Sequence, residues 1–302
     1  MKRVDIKTGF SCNNNCIFCV QADNKPLGNR SFEEIKENLV SSRERCDGVI
    51  LTGGEVTIRK DFLKILKLAK GLGYTTIQIQ SNGRKLSSLD FCREVIGAGA
   101  TEFGISLHGY CAEQHDYLTT VKGSFMQAAR GIRNLKSLGA YVMTNSVVVE
   151  SNYMTLPLLS TLLVKLNVDQ LQFAFVHALG NARKNFDQVV PSISLAAPYI
   201  HKALQVAANS GKFARVEAVP YCQMKGYEQY VVEKSIPDTE VRGVEYQNTD
   251  DSGFQRQNFS KMKFVQCLRC RYDPICEGPW KEYPEKRGNK EFVPVSKRVG
   301  TA

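Results

Sequence analysis

Three cysteines stand close together near the start of the chain. Cys12, Cys16 and Cys19 fall within eight residues, in the run CNNNCIFC, directly after a short apolar segment at 4–8. Three thiolates at this spacing reach one point only through a loop, and such compact sets bind zinc or an iron–sulfur cluster. Zinc requires a fourth cysteine or histidine, and none lies close in sequence. Three cysteine ligands on a four-iron cluster leave one iron open to another molecule. The alternative to a metal or cluster site is that the three cysteines are buried structural residues.

A second group of cysteines lies in the last third of the chain. Cys267, Cys270 and Cys276 follow the spacing C-x2-C-x5-C, and 44 residues separate them from Cys222. An iron–sulfur cluster and a zinc ribbon are both possible, but a ribbon normally has two short-spaced cysteine pairs. Cys46 and Cys92 lie in or beside predicted helices and are typical of small core residues. Cys111 follows a predicted strand.

The first two thirds of the chain alternates strand-like and helix-like segments. Six short apolar runs predict strands at 4–8, 48–52, 75–80, 102–107, 141–149 and 171–176. Helical spacing predicts helices at 31–45, 62–73, 87–98, around 125–135, 156–166 and 194–209. Six such units in a row require a parallel sheet with helical crossovers, as an open doubly wound sheet or a partly closed barrel. In both, functional groups gather at the carboxyl ends of the strands.

The alternation stops after Gly211. One strand-like run at 213–219 leads to Cys222, and the stretch 228–251 is acidic with little periodicity. The final stretch, 255–302, is dense in cysteine, proline and aromatic residues. We therefore expect two units, a larger one at 1–212 and a smaller, cysteine-bearing one at 213–302.

Composition is that of a globular protein that needs no disulfides. The chain has 302 residues, 43% of them hydrophobic, and ten cysteines. It has no signal peptide and no apolar run near the roughly 20 residues of a membrane span, so we expect a reducing, cytoplasmic location. The net charge of +10 is spread over predicted helix surfaces, which favours a solvated surface over a nucleic-acid partner.

The first cysteine group resembles a known signature. C-x3-C-x2-C with Phe18 before the last cysteine is similar to the motif of the radical S-adenosylmethionine (radical SAM) superfamily. The run Thr52-Gly53-Gly54-Glu55, which ends the second predicted strand, resembles the GGE motif of that family. In the family, these glycines let the backbone approach the methionine moiety, and the glutamate and neighbouring carbonyl groups accept from its amino group.

Polar residues at later strand ends extend the resemblance over roughly 4–212. It implies an α/β fold, an incomplete (β/α)6 TIM-type barrel, with a SAM-binding [4Fe-4S] cluster on the first three cysteines. The residues that the resemblance assigns to SAM binding are Phe18, Gly53, Gly54, Glu55, Ser81, Asn82, Ser106 and Asn145.

The second cysteine group, in the form C-x2-C-x5-C-x-G, resembles the C-terminal extension called SPASM or twitch. Four cysteines fit the shorter twitch form, which implies one auxiliary [4Fe-4S] cluster. If Cys222 is not a ligand, an open iron could hold substrate instead. The implied ligands are Cys222, Cys267, Cys270 and Cys276.

The resemblance implies an oxidoreductase or maturase that cleaves S-adenosyl-L-methionine to a 5′-deoxyadenosyl radical, which abstracts hydrogen from a substrate. A ribosomally made peptide is the expected substrate. The alternatives are a small metabolite, cofactor precursor or nucleoside, with an RNA base less favoured, and a non-enzymatic iron–sulfur or zinc scaffold. We expect a reductant such as flavodoxin or ferredoxin and, since only eleven residues precede Cys12, a separate peptide-recognition protein. Cys111 is a candidate hydrogen donor, and His108 and His177 could face substrate.

Overall fold

Eight parallel strands form one open sheet in the computed structural model, which describes residues 2–244 and 248–296. The spatial order is β7-β6-β5-β4-β3-β2-β1-β8, and every neighbouring pair is parallel. The strands are β1 Arg3–Lys7, β2 Gly48–Thr52, β3 Thr76–Ser81, β4 Glu102–Ser106, β5 Tyr141–Val148, β6 Gln170–Phe175, β7 Phe213–Glu217 and β8 Thr239–Arg242. The sheet is not closed, because β7 and β8 occupy opposite edges, and the predicted partial TIM-type barrel is confirmed.

Several of the helices pack against strands of the sheet. Their bounds are α1 Phe32–Arg43, α2 Phe62–Gly71, α3 Leu89–Ala98, α4 Ala112–Thr119, α5 Ser124–Ser137, α6 Leu156–Lys165, α7 Asn181–Lys184, α8 Phe186–Val189, α9 Ile193–Asn209, α10 Ser252–Gln255 and α11 Glu282–Arg287. A capping box opens α1, because Glu34 N donates to Ser31 Oγ at 3.2 Å and Ser31 N donates to Glu34 at 2.7 Å. No helix in the described ranges is long and apolar enough to cross a membrane.

The six predicted strands agree with β1 to β6 within one residue at each end. Helix α4 was not predicted, because its sequence AEQHDYLT is mostly polar and buries only His115, Leu118 and Thr119. Two strands of the sheet, β7 and β8, come from beyond residue 212, within the part that the sequence assigned to the smaller unit. Of these two strands, only β7 corresponds to a strand-like run in the sequence, the one at 213–219.

Strand β8 was missed because ion pairs rather than apolar periodicity hold it. Its Glu240 side chain is fully buried beside β1 and lies within 3.0 Å of nitrogens of Lys2, Arg45 and Arg242. Hydrogen bonds from Arg45 oppose the effect of burial and, with the other two cations, lower the pKa of Glu240 to about 2. Such long-range pairing leaves no local sequence signal.

The inner face of the sheet is polar, which is unusual for parallel strands. Along β1, Val4 and Ile6 are fully buried, whereas Asp5 and Lys7 alternate with them and therefore point to the other face. The same alternation in β6 puts Leu171 and Phe173 on the outer face. The inner face thus bounds a polar cavity rather than a packed core.

Candidate functional site

The three-cysteine loop follows β1 and is held from two sides. Asn15 N and Ile17 N each donate at 3.1 Å to carbonyl groups at the end of α4. From the other side, Asn181 Nδ2 donates to the Cys16 carbonyl and Asn185 Nδ2 to the Ile17 carbonyl, each at 2.9 Å. The loop therefore has a fixed backbone, and all three thiols line one cavity.

Gly53 and Gly54 bring the end of β2 into direct contact with the residues that precede the cysteine loop. Gly54 N donates to the Gly9 carbonyl at 2.7 Å, and Glu55 N donates to the Ser11 carbonyl at 2.8 Å. A Cβ on Gly53 would lie 2.1 Å from the Gly9 oxygen, and one on Gly54 would lie 2.3 Å from the Ser11 oxygen. The glycine pair is therefore required for backbone packing, independently of any ligand.

Glu55 does not line the cavity but lies beneath it, 2% exposed. Its carboxylate accepts from Thr57 N and Oγ1, from Ser81 Oγ at 2.8 Å and from Asn82 N at 2.6 Å. Burial raises the pKa of Glu55, and these four hydrogen bonds oppose that rise. Glu55 thus joins the ends of β2 and β3, and its expected contact with the SAM amino group stays a prediction.

The turn after β3 extends this bracing to the cysteine loop. Asn82 Nδ2 donates to Asn13 Oδ1 at 2.7 Å, and Arg84 donates to Asn14 Oδ1 at 3.0 Å and to the Asn13 carbonyl. These hydrogen bonds join the turn after β3 to the cysteine loop, so the two segments form one hydrogen-bonded unit at the rim of the cavity.

The cavity has a volume of about 410 Å³ and opens at the carboxyl ends of the strands. Besides the three cysteines, it is lined by seven of the eight residues that the resemblance assigned to SAM binding: Phe18, Gly53, Gly54, Ser81, Asn82, Ser106 and Asn145. Cys111, the candidate hydrogen donor, begins α4 and is not among the lining residues. The structure therefore gives it no contact with the cavity.

His108 lines the cavity, and its ring and its backbone N–H already make contacts within the protein. Its ring packs edge-on against Phe18 at 4.8 Å, and its Nδ1 accepts from Val147 N at 3.2 Å. His108 N in turn donates to Nδ1 of His115 at 3.0 Å. Burial lowers the pKa of both rings, that of His115 to about 4, so both are neutral near pH 7. This pair supports Phe18 rather than carrying protons.

The cavity is also lined by His177, which the sequence indicated, and by residues that sequence reasoning missed. His177 Nε2 lies 3.0 Å from Glu282, and its ring stacks on Trp280 at 3.9 Å. The missed lining residues include Asp5, Lys7, Gln80, Glu217 and Trp280. The signal that could have found most of them was polar side chains at alternate positions of otherwise apolar parallel strands.

The four C-terminal cysteines line a second, smaller cavity together with Pro279. Phe264 N donates to Cys267 Sγ and Val295 N donates to Cys270 Sγ, each at 3.4 Å. Burial, reinforced by the three neighbouring thiols, raises the pKa of Cys222 to about 12. Cys222 is therefore electrostatically coupled to the three cysteines from which it is distant in sequence.

A family model described as the Radical SAM superfamily matches residues 6–157, about half of the chain. The chain belongs to the radical SAM superfamily. Membership implies an enzyme that uses a [4Fe-4S] cluster and SAM. The matched span contains the three-cysteine loop and the ends of β2 to β5.

Curated relatives match part of this radical SAM protein. An AdoMet-dependent heme synthase of Oleidesulfovibrio alaskensis is 32% identical over 145 residues, 47% of this chain and 37% of the relative. A probable GTP 3′,8-cyclase of Saccharolobus islandicus is 28% identical over 182 residues, 59% of this chain and 58% of the relative. The chain therefore spans well under two thirds of the length of either relative.

Among solved structures, Streptococcus suis SuiB bound to the precursor peptide SuiA has a TM-score of 0.66. The match covers 92% of this radical SAM chain and 71% of SuiB at 14% identity. At that identity the likeness concerns the fold alone, and the substrate does not follow from it.

The residues of the first cavity fit the two cofactors of the superfamily. Three thiols face one space, and burial raises the pKa of all three, that of Cys16 to about 12, so binding of iron must displace protons. Asn145 Oδ1 is buried and, within the described part of the chain, has no hydrogen-bond partner, so it is an acceptor open to a ligand. No three His, Cys, Asp or Glu side chains in that part converge tightly enough for a single metal ion. A cluster does not require such convergence, because each thiolate binds a different iron.

Proposed function

We propose that this chain binds a [4Fe-4S] cluster through Cys12, Cys16 and Cys19 and modifies a substrate by radical chemistry. When bound, the reduced cluster supplies the electron that cleaves SAM to methionine and a 5′-deoxyadenosyl radical, which abstracts hydrogen from the substrate. The observation that carries the proposal is that the three thiols, the Gly53-Gly54 turn and the polar ends of β3 to β5 line one cavity.

The other lining residues orient SAM and shield it from water. Gly53 and Gly54 present backbone without side chains, so a ligand can approach the strand end closely. Ser81, Asn82, Ser106 and Asn145 supply polar atoms around the same space, and Phe18 covers the base of the cysteine loop. Enclosure by the barrel wall protects a reactive radical from side reactions.

Anaerobic turnover tests the proposal. The chain is reconstituted with iron and sulfide, reduced with dithionite and incubated with SAM, and 5′-deoxyadenosine is measured by chromatography. We expect its formation even without substrate, because the uncoupled cleavage needs only the cluster and SAM. A protein with its iron fully loaded that forms no 5′-deoxyadenosine would contradict the proposal.

We also propose that the twitch-like region, within 213–302, holds an auxiliary [4Fe-4S] cluster on Cys222, Cys267, Cys270 and Cys276. The supporting observation is that all four thiols line the second cavity. Two of them also accept backbone N–H bonds, which stabilise the negative charge of cluster sulfurs. Four ligands close the cluster, so it would transfer electrons or tune a potential rather than bind substrate.

Replacing Cys267 with alanine tests the auxiliary cluster. Two clusters predict about eight irons per chain, and the variant is expected to keep about four, with the first cluster intact. Iron and zinc are measured by elemental analysis, and 5′-deoxyadenosine formation reports the first cluster. As a control, Cys46→Ala removes a buried thiol outside both cavities and should keep about eight irons. Zinc in place of the second four irons would refute the assignment and favour a zinc ribbon.

For the substrate we propose a ribosomally made peptide, brought by a separate recognition protein. Support comes from the fold shared with SuiB, whose solved structure contains a precursor peptide. The alternative, a small metabolite or nucleotide, is favoured by the relative named as a probable GTP 3′,8-cyclase. A gene for a short peptide beside the gene of this chain would favour the first.

We further propose a cytoplasmic location with flavodoxin or ferredoxin as reductant. All ten cysteines are free thiols, which suits a reducing compartment.

A further inference from the structure

The cavity has two halves with different chemistry. The half beside β1 to β4 contains the three thiols and the lining residues assigned to SAM, except Asn145, which lies on β5 at the boundary. The other half, here called the substrate half, lies beside β5 to β7 and is formed by Val147, Ala174, His177, Glu217 and Trp280. If SAM occupies the first half, as the proposed function requires, the substrate must occupy the second.

Glu217 is the carboxyl residue at the end of β7 in the substrate half. Burial raises the pKa of Glu217, and the charges of Lys261 and Arg256 oppose that rise. Gln172 Nε2, from the neighbouring strand, donates to its Oε2 at 2.7 Å and so fixes the carboxylate at the cavity wall. Among the described residues, no cation lies within ion-pairing distance of Glu217. Its charge therefore lacks a direct cationic partner in that part of the chain.

Behind Glu217 lies a buried set of charges, here called the rear cluster, formed by Glu233, Glu277, Arg256 and Lys261. Arg256 donates to both oxygens of Glu277, at 2.6 and 2.8 Å. Lys261 Nζ lies 3.6 Å from Glu233 Oε1, and the exposed fractions of these two side chains are 0% and 6%. Both cations are therefore matched by carboxylates within the cluster, and Glu217 adds a third carboxylate against two cations.

Both kinds of polar atom are left unpaired in this region. Glu233 Oε2 and Asn145 Oδ1 are buried acceptors without a donor, and Lys261 Nζ is a buried donor without an acceptor, within residues 2–244 and 248–296. Lys7, a lining cation of the other half, is bound to Asp5 at 2.7 Å. A ligand that brings donors and positive charge would pair with the free acceptors and balance the third carboxylate.

Trp280 shapes the same half without competing for the cation. His177 stacks on the indole at 3.9 Å, and Lys261 Nζ lies 4.0 Å from the ring centroid, so the two must occupy opposite faces. With both faces covered, the indole lines the cavity by its edge, in the half that also contains Glu217. An apolar stem that ends in a cationic head fits this arrangement.

We propose that Glu217 binds an ammonium or guanidinium group of the substrate. The assignment rests on the proposed function, because it places the substrate beside SAM in the cavity. Glu217 accepts two or more charge-assisted hydrogen bonds from the cation, and Gln172 holds the carboxylate in position. The cation can come from a lysine or arginine side chain of a peptide or from a free amine.

Binding of short probes to the reconstituted protein with SAM tests this assignment. The probes are the acetylated, amidated tripeptides Gly-Lys-Gly and Gly-Arg-Gly, the neutral Gly-norleucine-Gly analogue and n-butylammonium. Trp280 is the one tryptophan of the chain, so a change in its emission reports binding near Glu217. We expect the cationic peptides to bind at least about tenfold more tightly than the norleucine peptide. Equal binding of the butylammonium ion would indicate a free amine, and tighter binding of the peptides a peptide-borne cation.

Glu217→Gln keeps the size of the side chain and a hydrogen bond to Gln172 but removes the charge. We expect its Kd for the preferred cation to rise about tenfold to a hundredfold. The control Glu94→Gln, on the exposed face of α3, should leave that Kd unchanged. An unchanged Kd in Glu217→Gln, norleucine binding as tight as lysine binding, or no binding of any cation would each overturn the assignment. Uncoupled 5′-deoxyadenosine formation by the unaltered protein is measured in the same preparation, so failure of the radical chemistry is distinguished from failure of cation binding.

Discussion

Replacing Cys16 with alanine is expected to abolish 5′-deoxyadenosine formation and to remove about half of the iron, leaving about four atoms per chain. The loss should be complete, because two remaining thiolates cannot hold a cluster that needs three. The loop backbone stays in place, since Asn181 and Asn185 bind its carbonyl groups rather than its side chains. Product chromatography after dithionite reduction, together with elemental analysis, measures both quantities.

The matched control is again Cys46→Ala, which also removes a buried thiol but lies at the entry to β2, away from the cavity. It should retain both the iron content and 5′-deoxyadenosine formation. Residual product in Cys16→Ala above that of a protein without iron would show that Cys16 is not a cluster ligand.

Replacing Gly53 with alanine is expected to destabilise the protein by about 3 kcal/mol or more. Two causes add. The residue has a φ of +138°, which side chains rarely adopt, and the new Cβ would meet the Gly9 carbonyl oxygen at 2.1 Å. Because the Cβ is fixed to the backbone of residue 53 and the oxygen belongs to the backbone of Gly9, no side-chain rotation relieves the overlap. Anaerobic thermal unfolding should show Tm lowered by roughly 6 °C or more.

Gly97→Ala is the matched control for this glycine. Gly97 lies within α3 and has ordinary helical backbone, and a methyl group added there would meet no neighbouring atom within 4 Å. Alanine at this position should therefore leave Tm unchanged or raise it slightly. The Gly53 variant should also bind less iron at the first site, since β2 supports the cysteine loop. A Tm equal to that of the unaltered protein would mean that the strand end can move away from Gly9 without cost.

The strands of the barrel could be predicted from the sequence because each strand–helix pair is specified by residues that are close together in the chain. Each strand–helix pair is encoded by a short apolar run followed by helical spacing, so β1 to β6 fall within one residue of their expected bounds. The lining residues Ser81, Asn82 and Ser106 were named from the resemblance to the radical SAM family, and they reach one cavity because strand ends in a parallel sheet meet at one edge.

What the sequence could not supply are contacts between distant residues. Strand β8 depends on Glu240 pairing with Lys2 and Arg45, which lie about two hundred positions away. The four donors that surround the Glu55 carboxylate come from Thr57, Ser81 and Asn82, and the GGE motif alone did not indicate those contacts. Glu217 was overlooked because nothing in its own strand distinguishes an inward carboxylate from a solvated one.

The short stretch from Cys276 to Trp280 joins the two cavities. Cys276 and Pro279 line the second cavity, and the next residue, Trp280, forms a wall of the first. A Cβ on Gly278 would lie 1.8 Å from the Met262 carbonyl oxygen, so this stretch packs directly on the backbone of a neighbouring segment. A metal centre assembled on Cys276 would therefore also complete the substrate wall. If the proposed auxiliary cluster forms there, its assembly and the shaping of the substrate wall are one event, so its loss would alter substrate binding while uncoupled cleavage of SAM continues.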